Sequence, residues 1–155
     1  MAENRHFRDL LRSFEKFGVE YLIVGGYAVM KYTEPRYTKD VDIWIGNSAE
    51  NSRRVYAALA EFGAPLERDQ IGPGTFTEAQ LTYQIGVPPV RIDIMTSIDG
   101  VQFEQAWPNR ATGTFLGASA QFLSLDDLIT NKRAVGRASD QEDLKHLLTR
   151  AQDRQ

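Results

Sequence analysis

The 155-residue sequence contains no cysteine and only two histidines. Without cysteine there are no disulfides, thiolate metal sites or thiol nucleophiles, which fits a reducing compartment. His6 and His146 have no partner at metal-ligand spacing, so any metal chemistry must rest on oxygen ligands. No apolar run approaches the ~18 residues of a membrane span, and the opening MAENRHFRDL lacks the hydrophobic stretch of a signal peptide. A cytoplasmic location is expected, with no membrane partner. The formal net charge of −3 argues against a general nucleic-acid binder, although a local basic patch could still hold a phosphate. There is no repeat, low-complexity tract or Gly/Ser linker, so residues 1–155 read as one domain.

Hydrophobic residues make up 42% and charged residues 25% of the chain, which is enough for an ordinary globular core. Phe7, Leu10, Leu11, Phe14 and Phe17 recur at helical spacing, and Gly18 suits a left-handed cap. YLIVGG reads as a buried strand ending in glycines, AVMKY as a short helix, KDVDIWI as a strand of period two, and residues 49–62 as a further helix. QLTYQIGVPPVRIDIMT reads as two strands around a Pro-Pro turn. Two helices close the chain, with expected capping boxes at Ser124/Asp127 and Ser139/Glu142. The fold class is mixed α/β (α+β), a twisted mixed sheet carrying helices.

Three features of this pattern carry chemistry. Strand geometry turns Val41, Ile43 and Ile45 to one face and Asp40, Asp42 and Trp44 to the other. Two neighbouring carboxylates repel unless a cation sits between them, and Mg²⁺ prefers such oxygen ligands. Asp93 interrupts the apolar run RIDIM and could complete the set, as a two-metal phosphoryl-transfer site would require, although Arg91 on the same strand face could account for it structurally. The Gly25-Gly26 turn between a strand and a helix would let backbone N–H groups approach a phosphate, though such a pair alone is ordinary turn geometry. Finally, Lys132 falls within the apolar stripe of Leu125, Leu128 and Ile129, where an ammonium needs a carboxylate, phosphate or water. Asp140 lies near the buried face of the last helix, a position that the helix dipole would also favour.

The stretch GGYAVMKYTEPRYTKDVDIWI resembles the signature of the nucleotidyltransferase superfamily related to DNA polymerase beta: a Gly-Gly or Gly-Ser pair, a spacer, and Asp-x-Asp on a strand. RYTKDVDIWI with LSLDDLITNKRAVGRASDQEDLKHL is similar to a small prokaryotic branch that includes AbiEii-type toxin nucleotidyltransferases. Gly26 stands where the commonest form has serine, which removes one hydroxyl that can contact a phosphate, although the glycine form is usual in this branch. The resemblance implies the polymerase beta-like fold with helices on one side of the sheet. It also implies a triphosphate held by Gly25 and Gly26, Mg²⁺ on Asp40 and Asp42, and Asp93 as third ligand or base. The spacing of Asp127 and Lys132 matches a late motif, implying a lysine on the nucleotide phosphates with an acid near Asp140. Arg36 would add a phosphate contact. The implied reaction moves NMP from an NTP such as ATP to a hydroxyl on RNA, protein or a small molecule. A toxin or antitoxin protein partner is implied only by analogy. The competing readings are a catalytically inactive nucleotide-binding or protein-interaction module and, less economically, a nuclease.

Overall fold

The computed structural model describes residues 2–38, 40–87 and 91–154. Its elements run α1 (Ala2–Lys16), β1 (Tyr21–Val24), α2 (Gly25–Tyr32), β2 (Asp40–Ile45), α3 (Ala49–Phe62), β3 (Thr82–Ile85), β4 (Arg91–Met95), α4 (Phe103–Ala106), β5 (Ala111–Phe115), β6 (Ala118–Phe122), α5 (Leu125–Val135) and α6 (Ala138–Asp153), with two 3-10 turns besides. The strands form one mixed sheet in the order β3-β4-β2-β1-β6-β5. β2 runs parallel to β4 and antiparallel to β1, and β1 runs parallel to β6.

The period-two pattern of β2 divides two cores. Val41, Ile43 and Ile45 lie with Ile92 and Ile94 beneath Phe7, Leu10, Leu11 and Phe14 of α1 and Val55 and Leu59 of α3. Trp44 lies on the opposite face with Leu22, Val24, Val29 of α2, Phe103 of α4, Leu128 of α5 and Leu147 of α6. Helices therefore cover both faces, not the one expected. A strand such as β2, which alternates two large apolar series, needs cover on each side, and fully burying each such side chain contributes roughly 1.5–3 kcal/mol.

α1 ends as its sequence suggests, with Gly18 at φ +68 and Gly18 N donating to Glu15 O. α2 starts at Gly25, earlier than the AVMKY reading. The Ser124 hydroxyl accepts from Asp127 N at 3.1 Å and caps α5. Of the first expected box only this serine half is present among the described residues, and the second expected box does not form. α6 begins one residue before Ser139, because Asp140 Oδ2 accepts from Arg137 N at 3.3 Å and satisfies the helix end, while Glu142 turns to His146 and Lys145. The expected Pro88-Pro89 turn lies outside the described residues, although both strands beside it form. The β5–β6 hairpin and the one-turn helix α4 went unread. The hairpin turn holds Leu116 and Gly117 at φ +54 and +85, the positive values a type I′ turn demands, without the Asn-Gly or Asp-Gly that usually announces one.

Candidate functional site

The parallel pairing of β2 with β4 sets Asp42 opposite Asp93 and Asp40 opposite Arg91. Adjacent strands are ~4.8 Å apart, so same-face side chains at matched register are neighbours. The antiparallel pairing of β1 sets Val24 opposite Asp42, and the chain then turns through Gly25 into α2. This brings the glycine turn onto the acids. A Cβ on Gly25 would lie 2.2 Å from Asp42 Oδ2, and the residue sits at φ +66, so only glycine fits on both counts. The three expected carboxylates thus converge beside the expected phosphate turn.

Their electrostatics are strained. Burial, followed by the like charges of Asp93 and Asp40, pushes the Asp42 carboxyl up to about 7, against the opposing pull of Arg91 and Lys132. Arg91 Nη2 bridges the other two, 3.0 Å from Asp40 Oδ2 and 3.2 Å from Asp93 Oδ2. Among the described residues, Asp40 Oδ1 and Asp93 Oδ1 remain buried without a hydrogen-bond partner. With Arg91 so placed, no group of three or more acids or histidines among the described residues is arranged to hold a metal ion. The donor chemistry nevertheless fits a hard divalent cation such as Mg²⁺: oxygen only, negatively charged and partly unsatisfied.

A second cluster, on α5, α6 and the segment after α2, pairs each of its acids with cations. Lys132 is buried at 7% exposure, and its Nζ lies 2.9 Å from Asp140 Oδ1 and 3.2 Å from Asp143 Oδ2. Arg137 Nε donates to Asp140 Oδ2 at 2.7 Å. Burial alone would raise the Asp140 pKa, but hydrogen bonds from Arg137 and Lys132 and their charges outweigh it and hold the carboxyl at about 2. Arg36, in the segment between α2 and β2, makes a two-pronged contact with Asp143, with Nη2 on Oδ2 at 3.2 Å. Lys132, Asp140 and Arg36 are therefore gathered into one cluster through Asp143. The reading missed Asp143, which a helical wheel puts toward the edge of the buried stripe of α6 and which is 3% exposed in the fold.

Gly26 also meets its neighbours closely: a Cβ there would lie 2.9 Å from Thr38 Oγ1 and 3.5 Å from Arg36 Nη2. Arg36 and Asp143 in turn line a cavity of about 630 Å³ between the end of α2, the segment that follows it, and α6.

A family model described as "Nucleotidyl transferase of unknown function (DUF2204)" matches residues 3–155. Among solved structures, the fold is similar to the lincomycin-bound lincosamide antibiotic adenylyltransferase LnuA, with a TM-score of 0.57, 17% identity, and 92% of this chain and 94% of that one covered. A Thermotoga maritima protein described as a candidate nucleotidyltransferase gives a TM-score of 0.58 at 15% identity, covering 94% and 91%. An antigenic nucleotidyltransferase-like protein from Paracoccidioides brasiliensis gives 0.53 at 16% identity, covering 97% and 76%. A search of curated proteins finds no match.

Proposed function

Since the chain belongs to the DUF2204 family of nucleotidyl transferases, we propose that it moves an NMP unit from an NTP to a hydroxyl of a small molecule, in a Mg²⁺-dependent reaction that releases pyrophosphate. The observation that carries this reading is the register match of Asp42 with Asp93 on adjacent parallel strands, closed off by a Gly25 turn that leaves no room for a Cβ.

In this reading the N–H groups at the start of α2 receive the triphosphate, aided by the positive end of the helix. Asp40, Asp42 and Asp93 would hold Mg²⁺, which when bound supplies charge neutralisation at the reacting phosphoryl group. As the acceptor oxygen bonds to the α-phosphorus, the bond from that phosphorus to the bridging oxygen of the departing pyrophosphate breaks. The hydroxyl proton passes to a carboxylate, for which Asp93 offers an unpartnered Oδ1. Lys132, fixed by Asp140 and Asp143, presents positive charge toward the acids and the leaving group. Among the described residues no helix is long and apolar enough to cross a membrane.

The cavity beside Arg36 supports a small acceptor. Its volume suits a drug-sized molecule, and its wall includes Glu34, Glu142, Asp143 and Asp153 against Arg36, Arg150 and His146, a poor surface for an RNA end.

The test is transfer of label from each α-³²P NTP, with Mg²⁺, to separated pools of small metabolites, RNA and protein, with Asp42→Asn run in parallel. Label in the metabolite pool that Asp42→Asn abolishes is the expected result. Label in RNA or protein overturns the small acceptor, and transfer by both forms overturns the role of Asp42. Mg²⁺-dependent NTP binding without transfer would favour the inactive binding module.

A further inference from the structure

Gly26 replaces the serine of the commonest Gly-Ser turn, so a hydroxyl that could face the phosphates is missing from α2. The fold explains why it cannot simply be restored. The place where a residue-26 Cβ would sit is already crowded by Thr38, with Oγ1 at 2.9 Å and Cβ at 3.2 Å. The backbone at Gly26 is not in the left-handed region, so conformation does not forbid serine there; the Thr38 side chain does. Among the described residues the Thr38 Oγ1 is weakly engaged, its one hydrogen bond being 3.5 Å to Asp40 O.

We propose that the Thr38 hydroxyl does the work of the missing serine: reaching across from the segment before β2, it donates a hydrogen bond to the triphosphate at the start of α2. A hydroxyl and a guanidinium then face the same spot, since Arg36 Nη2 is 3.5 Å from the point where the Gly26 Cβ would be. The two positions are a steric exchange pair, in which a small residue at 26 admits Thr38 and a serine at 26 requires a smaller residue at 38. The geometry also ties triphosphate binding to β2, because Thr38 lies two residues before Asp40 and would move with the acids. The inference rests on the nucleotidyltransferase reading above.

Binding by the full chain is measured by calorimetry with Mg²⁺-tripolyphosphate, a base-independent probe, and with Mg²⁺-ATP; thermal unfolding reports folding. Thr38→Val, which keeps the shape and removes the hydroxyl, is expected to weaken both ligands about tenfold, the scale of one hydrogen bond to a charged group. Thr38→Ser should bind within about twofold of the unmodified chain, because the donor remains. Gly26→Ser alone should bind poorly and unfold at lower temperature. Gly26→Ser with Thr38→Ala should regain affinity to within about threefold, which a purely structural threonine would not allow. Unchanged binding by Thr38→Val, or a double variant no better than Thr38→Ala alone, overturns the inference. If the unmodified chain binds neither ligand, the nucleotidyltransferase reading fails and this inference with it. If it binds both and only the exchange fails, the reading stands and the role of Thr38 falls.

Discussion

The molecule carries two charged clusters, and they are built on opposite principles. On the sheet, Asp40, Asp42 and Asp93 share one arginine between two of them, leave two oxygens without partners and carry a carboxyl raised to about 7. Between α5 and α6, Lys132 touches two carboxylates, Arg36 and Arg137 take up their other sides, and Asp140 is held at about 2. The first cluster has negative charge to spare and gains from an added cation. The second sets three cations against two acids and is already in place. Under the proposed function this difference has a purpose: a site that recruits a metal ion must be left incomplete, whereas a lysine that meets an incoming phosphate has to be held rigidly beforehand.

The contrast breaks most visibly at Lys132. Lys132→Met leaves Asp140 and Asp143 buried with less compensation and should cost about 3–5 kcal/mol in chemical unfolding, since removing one partner of a buried pair strands the others. A loss under 1 kcal/mol would mean that this cluster is not the tightly matched one.

Asp42→Asn should act in the opposite sense. Removing a charge that burial and two like neighbours disfavour should stabilise the metal-free chain at pH 8 by about 2 kcal/mol while abolishing transfer. A variant that is both inactive and less stable would show that Asp42 is structurally needed.

The pH dependence separates the two further. The Asp42 pKa is raised above its unfolded value, so the folded form binds its proton more tightly, and stability in metal-free buffer should fall as pH rises from about 4 to about 7. The Asp140 pKa is depressed, so its contribution of about 2 kcal/mol is present above pH 4 and lost as pH falls toward 2. Unfolding curves across pH 2–8 should show both slopes, with Asp42→Asn removing only the upper one.

The smallest expected effect lies at the helix starts. Ser124→Ala should cost about 1 kcal/mol, because its hydroxyl caps α5, the helix that carries Lys132, whereas Ser139→Ala should change stability by less than about 0.5 kcal/mol. Equal losses at the two serines would contradict the assignment of Asp140 to the start of α6.

Much of this was legible in the sequence because the signals were periodic. The apolar series of α1, the alternation of β2 and the inward lysine of α5 each obey one simple spacing. Asp40, Asp42, Asp93 and the two glycines could be picked out for the same reason: each interrupts a pattern at a place where interruption needs explaining. What escaped depended on tertiary neighbours. β5 and β6 are built of Ala, Thr, Ser, Gly and Gln with one terminal phenylalanine each, a weak strand signal, and a Leu-Gly turn joins them. Asp143 is distinguished from other helix-edge acids by its tertiary partners, Arg36, 107 residues away, and Lys132 of α5. The second capping box failed because Asp140 competed for the same helix end. The crowding of Gly26 by Thr38 is a contact across a loop that no local pattern encodes.

The unequal charge balance of the two clusters is tested most directly by adding Mg²⁺ to the purified chain at pH 7.5 and following thermal unfolding, with Asp42→Asn and Asp140→Asn alongside. A cation site on the sheet predicts a rise in the unfolding temperature that saturates with Mg²⁺, disappears in Asp42→Asn and persists in Asp140→Asn. No rise in the unmodified chain, or the same rise in Asp42→Asn, would contradict it.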